Sequence, residues 1–239
     1  MNYKWNYQPP TEQKSQKADE LSQETGINPI LCRLLIDRGV TTAEEAKRFF
    51  RPSLTDLHDP FLMDGMDKAV ERINQALGRK ERILVYGDYD VDGITSTAIF
   101  VKYLRALGAD VIWHLPTREG EGYGLNVTAV QEIADAGAKI LVTVDCGISG
   151  NEEVDFAKQL GMRVVVTDHH SPDLVIPNAD AVVNPKRADD TSGLEYLAGV
   201  GVAFLTVVAV NRELKSRALS VDVSRKIESL NLMNFMDLV

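Results

Sequence analysis

Seven residues supply the side chains from which a reactive site can be assembled: Asp88, Asp90, Asp92, Asp145, Asp168, His169 and His170. The first three alternate in the stretch Gly87 to Gly93, directly after the apolar run Ile83 to Tyr86. Carboxylates this close repel one another unless a positive charge lies among them, so the expected occupant is a divalent cation. A solvated acidic turn is the bland alternative. The spacing also matches the first half of an EF-hand loop, but the required bidentate Glu is replaced by Ile99, and a strand precedes the loop where a helix should stand. A P-loop is excluded because no Gly-Lys-Ser/Thr follows the glycines. An aspartyl-phosphate phosphatase places an Asp pair after its first strand as well, yet has no need of the adjacent His169 and His170.

The elements that must position these residues follow from hydrophobic periodicity. Asp145 follows the apolar run Lys139 to Val144, and Asp168 follows Arg163 to Thr167; further short strands are expected over Val111 to His114 and Ala181 to Val183. Helical spacing fills the intervals: from Met66 through Leu77, Ile94 to Leu107, Asn126 to about Ala136, and Asn151 to Leu160. Such alternation predicts an α/β fold, a mostly parallel sheet flanked by helices and joined by right-handed crossovers. In sheets of that kind ligands bind beyond the carboxyl ends of the strands, where all seven residues would converge.

Residues 1–57 read as a small helical N-terminal appendage, and 58–239 as the α/β domain. The opening is polar with Pro9-Pro10; the first helix read here starts at Asn28-Pro29, and Thr42 with Glu45 starts another as a capping box. Ile30, Leu31, Leu34 and Leu35 form a helix face expected to pack. Two helices are expected after Leu197, the second from about Ser224, and the chain stops at Val239 without a Gly, Pro or polar tail. That ending predicts a truncated domain whose last, apolar helix lies exposed.

Five carboxylates and two imidazoles exceed what one ion needs. Two divalent cations bridged by a shared carboxylate, about 3.5–4 Å apart, form the usual clamp for in-line attack on phosphorus, so phosphoester hydrolysis is predicted. Imidazole ligands favour Mn2+, with Mg2+ as the other option. Asp90, Asp92 and Asp145 are the leading ligands, Asp145 as bridge; His169 is the imidazole ligand and Asp168 its orienting partner. His170, turned elsewhere, would donate to a phosphate oxygen or act as general acid. Arg118, beside a glycine-rich segment, would grip a terminal phosphate or be a plain surface charge. His58 and His114 read as structural.

The excess of 35 acidic over 26 basic residues, a net charge of −9, disfavours broad adhesion to nucleic acid, although bound metal would offset part of it. Two cysteines make no disulfide framework and no zinc pair. No apolar run reaches membrane-spanning length and no signal peptide opens the chain, so a cytoplasmic location is expected.

The set Asp88-x-Asp90-x-Asp92-Gly93, Val144-Asp145-x-Gly147 and Asp168-His169-His170 resembles the first three motifs of the DHH phosphoesterase superfamily. Gly122-Tyr-Gly124, Asn184-Pro185 and Leu197 to Phe204 resemble, within it, the RecJ-type single-strand-specific DNA exonucleases. The resemblance implies manganese-dependent, processive 5′-to-3′ hydrolysis of single-stranded DNA in recombination and repair, with other repair proteins as partners and a monomeric state. Many superfamily members carry His where Tyr86 stands, and Asp88 would then supply the missing ligand. It also implies a fourth metal-binding Asp and a second catalytic domain beyond this chain. A phosphodiesterase for short oligonucleotides or small phosphoesters, and a non-catalytic metal-binding module, are the alternative functions.

Overall fold

The runs Ile83–Gly87 (β1), Val111–His114 (β2), Ile140–Val144 (β3), Arg163–Thr167 (β4) and Ala181–Val183 (β5) form one five-stranded sheet in the order β2-β1-β3-β4-β5. Every pairing is parallel. The three central strands are rich in Val, Ile and Leu because helices cover both of their faces. Alternation then sorts the side chains: Ile83 and Val85 join a core with α4 (Met66–Arg79), α5 (Val91–Leu107), α8 (Gly199–Ser216) and α9 (Val221–Ser229), while Leu84 and Tyr86 join a second core with α6 (Val127–Asp135) and α7 (Asn151–Gln159). The computed structural model describes residues 4, 9–51, 53, 57–117, 120, 122, 124–217 and 221–239. Arg118 lies outside the described residues.

The chain divides into two compact units, Met1–His58 and Asp59–Val239. The first holds α1 (Glu12–Thr25), α2 (Pro29–Asp37) and α3 (Ala43–Phe50) around Ala18, Leu21, Cys32, Leu35 and Ala46. Helix α1 lies upstream of the first helix read from the sequence: Thr11 caps it through Lys14 N–H, and it buries Ala18 and Leu21. Of the α2 face expected to pack, Leu35 is buried while Ile30, Leu31 and Leu34 are exposed.

Two further expectations are corrected in the second unit. Helix α5 begins at Val91, three residues before the predicted start, because Asp90 is its N-cap and accepts from Gly93 N–H at 3.0 Å. The acidic stretch is therefore half loop and half first helical turn. At the other end α9 closes at Ser229 and a short 3-10 turn, Leu232–Phe235, follows. Ile227 and Phe235 are buried in the larger core, with Leu230, Leu232, Met236 and Leu238 packed against it, so this segment is not an exposed apolar helix. No helix among the described residues is long and apolar enough to cross a membrane.

Candidate metal centre

The strand order reverses between β1 and β3, so the connections leaving those two strands diverge and open a crevice at their carboxyl ends. Asp88 and Asp90 leave β1 at that point, Asp145 leaves β3, and Asp168, His169 and His170 leave β4. Oxygens of Asp88, Asp90 and Asp145 lie within 4.8 Å of one another. A second set joins Asp145 to ring nitrogens of His169 and His170 within the same limit. Asp145 belongs to both.

Asp145 is built into place at a cost. Its φ of 63° is left-handed, a conformation costing about 1 kcal/mol for a residue with a side chain, and its N–H is held by the Thr167 carbonyl at 3.0 Å. Both of its carboxylate oxygens, and Oδ1 of Asp88, are buried without a hydrogen-bond partner. His169 Nε2 stands 3.2 Å from Asp145 Oδ1 but lacks the alignment of a hydrogen bond. Burial, followed by the charges of Asp90 and Asp92, pushes the Asp145 carboxyl up to about 8. Asp88 is likewise raised, by burial first and then by Asp90 and Asp168. Buried anions left unmatched cost several kcal/mol each, and a cation among them removes that penalty. The donor set of carboxylates and imidazoles with orphaned oxygens therefore fits a divalent cation.

Two backbone approaches complete the walls. Gly93 passes so close to the Asp88 backbone that a Cβ would collide with it, and at Gly199 a Cβ would enter the Asp145 carboxylate. The amides of Gly199 and Val200, the first turn of α8, donate to Asp92 at 3.1 and 3.3 Å, so Asp92 faces a helix N-terminus while standing 3.8 Å from His169 Nε2. Asp92 is in neither donor set. The sequence marked this segment as the motif Leu197 to Phe204, but nothing in it shows that the first amides of α8 reach Asp92, since the contact spans more than a hundred positions.

The histidines exchange their expected partners. Asp168 Oδ1 lies 2.8 Å from His170 Nδ1 and accepts the N–H groups of both histidines, while Oδ2 accepts from Ile148 N–H at 2.9 Å. Asp168 thus orients His170, and it is the Leu197 carbonyl, 3.1 Å from Nδ1, that orients His169. Nor is His170 turned away, because one of its ring nitrogens lies within 4.8 Å of both Asp145 and His169. Burial works to raise the Asp168 carboxyl, but the His170 and Ile148 hydrogen bonds outweigh it and hold it low. His170 is raised in turn, chiefly by its hydrogen bond to Asp168.

Tyr86 is fully buried on the α6 and α7 side, where its hydroxyl donates to the Gly124 carbonyl at 3.0 Å and its ring stacks on His114 at 4.9 Å. Asp88 belongs to one of the two donor sets.

Residues 82–232, which hold this parallel sheet and its acidic, histidine-bearing crevice, match the DHH family, N-terminal domain; the chain belongs to that family. Its similarity runs on to named exonucleases. The single-stranded-DNA-specific exonuclease RecJ of Bacillus subtilis (strain 168) is 40% identical over 91% of this chain and 27% of that protein. RecJ of Escherichia coli (strain K12) is 40% identical over 89% of this chain and 36% of that protein. Among solved structures, RecJ in complex with Mn2+ from Thermus thermophilus superposes with a TM-score of 0.65 at 32% identity, covering 83% of this chain and 27% of that one. An exonuclease RecJ bound to manganese gives 0.59 at 41% identity, covering 64% of this chain and 38% of that one. The chain spans well under half the length of these relatives.

Proposed function

We propose that this chain carries the metal-binding portion of a 5′-to-3′ exonuclease that hydrolyses single-stranded DNA with two divalent cations, manganese in preference to magnesium. The observation that carries the reading is Asp145, a buried carboxylate with no hydrogen-bond partner that belongs to both donor sets. A carboxylate shared in this way is what a bridge between two cations requires. Asp88, Asp90 and Asp145 would hold one cation, and Asp145 and His169 the other, with Asp92 in reach of the second through its place beside His169. When bound, such ions supply a water that ionises near neutral pH and positive charge for the phosphate oxygens.

The remaining work falls to the chain. Asp168 keeps His170 in one orientation and favours its protonated form, so His170 can donate a proton to a phosphate or leaving oxygen. The N-termini of α5 and α8 both face the crevice and add partial positive charge. Arg118 is assigned a terminal phosphate from its place beside the glycine-rich segment alone. The RecJ relatives support single-stranded DNA as substrate, and with it a role in repair and recombination in the cytoplasm beside other repair proteins.

Calorimetric titration with Mn2+ should show two binding events in the parent chain and the loss of at least one in Asp145→Ala. Release of nucleotides from 5′-labelled single-stranded DNA should depend on Mn2+ and disappear in the same variant. Parental stoichiometry and parental hydrolysis in Asp145→Ala would overturn the proposal.

A further inference from the structure

Two solvent-facing side chains belong to residues next in sequence to those that build the α8 side of the metal centre. Tyr196 is 89% exposed and Val91 is 77% exposed. Neither lies there by chance of a distant loop. Tyr196 immediately precedes Leu197, whose carbonyl orients His169, and Val91 immediately precedes Asp92, whose carboxylate takes the first amides of α8. The backbone at both positions is therefore one residue away from the contacts that join the first turn of α5, the N-terminus of α8 and His169. Exposing a tyrosine ring to this extent forgoes its burial energy, about 1.5–3 kcal/mol for a side chain of this size. Among the described residues the ring meets no aromatic or cationic neighbour.

We propose that Tyr196 is a stacking platform for a nucleobase of the strand whose phosphodiester lies at the metal centre, an inference that rests on the nuclease reading above. With a net charge of −9, attraction of phosphate away from the metal centre is weak, and a stacking contact adds affinity that does not depend on it. Stacking of a base on an aromatic ring contributes about 1–3 kcal/mol and tolerates any sequence, because every base has a π-face. A base of an unpaired strand can turn onto an exposed ring at little cost, whereas a paired base must first leave its partner and its stack, a cost of a few kcal/mol. Tyr196 would thereby set the preference for single strands, with Val91 lying under the adjoining sugar or base.

The test compares binding of a short oligothymidylate with binding of an abasic phosphodiester oligomer of equal length, both in Mn2+ with a non-hydrolysable backbone. Tyr196→Ala is expected to weaken the oligothymidylate by about tenfold while leaving the abasic oligomer and Mn2+ binding unchanged. Tyr196→Trp is expected to restore affinity. Unchanged oligothymidylate binding in Tyr196→Ala, or an equal loss for the abasic oligomer, overturns the platform alone. A parent chain that binds neither oligomer overturns the nuclease reading and the platform with it.

Discussion

The two edges of the sheet treat their carboxylates in opposite ways. At the amino edge, Asp180 before β5 is nearly buried and receives Arg163 at 3.2 Å, Arg72 at 3.6 Å and Val164 N–H at 2.9 Å. Asp110 before β2 pairs with Arg82 before β1 at 2.8 Å. At the carboxyl edge, Asp88 and Asp145 are as deeply buried, yet no arginine or lysine among the described residues pairs with them. Both edges belong to one sheet and one chain, so the fold has the means to neutralise a buried carboxylate and, among the described residues, does not use it at the switch point. Unmatched charge there is a reserved position for a cation.

The largest contrast should come from Asp145→Asn. It removes the shared oxygen charge and is expected to lower Mn2+ affinity by about a hundredfold or more, measured by calorimetry. The same substitution should stabilise the metal-free chain, by about 1–3 kcal/mol in denaturant unfolding, because it discards a desolvated anion. pH gives the sign independently. Asp145 holds its proton up to about pH 8 when folded and releases it near the ordinary carboxylate pKa when unfolded, so between these values the folded state binds more protons. Stability of the metal-free parent should therefore fall as pH rises from about 4 to about 8, and Asp145→Asn should flatten that slope. A parent profile that rises across this window would mean that the carboxylate is compensated after all.

Asp180→Asn should behave in the reverse manner. Two arginines lose their shared anion, one of them only a quarter exposed, so unfolding should become easier by about 1–3 kcal/mol while Mn2+ affinity stays parental. The smallest effect is expected at the exposed pair: Arg82→Ala should cost no more than about 1 kcal/mol, screened by salt, with no change at the metal centre. If Asp180→Asn weakened Mn2+ binding as much as Asp145→Asn, the division between the two edges would be wrong.

Much of the fold was legible before any coordinates. The strands Val111–His114, Arg163–Thr167 and Ala181–Val183 have the boundaries read from sequence, because β-branched runs between turn residues leave little choice. Helix α1 was not legible, since its composition is polar and its stability depends on the small core it shares with Cys32, Leu35 and Ala46. The start of α5 was displaced because an aspartate after a strand serves equally as loop residue and N-cap, and only the Gly93 amide at Asp90 decides which.

The sequence by itself determined which side chains leave the strand ends, since periodicity assigns Asp88, Asp145 and Asp168 to the ends of three strands without any knowledge of their order. Only the tertiary structure decided what each of them faces. Whether Asp168 holds His169 or His170, whether Asp92 meets an ion or the amides of α8, and whether Asp145 finds an arginine or nothing depend on contacts between segments far apart in the chain. Local pattern records a residue's own strand or helix, whereas charge compensation at a buried carboxylate is set by whatever the other elements bring within about 4 Å.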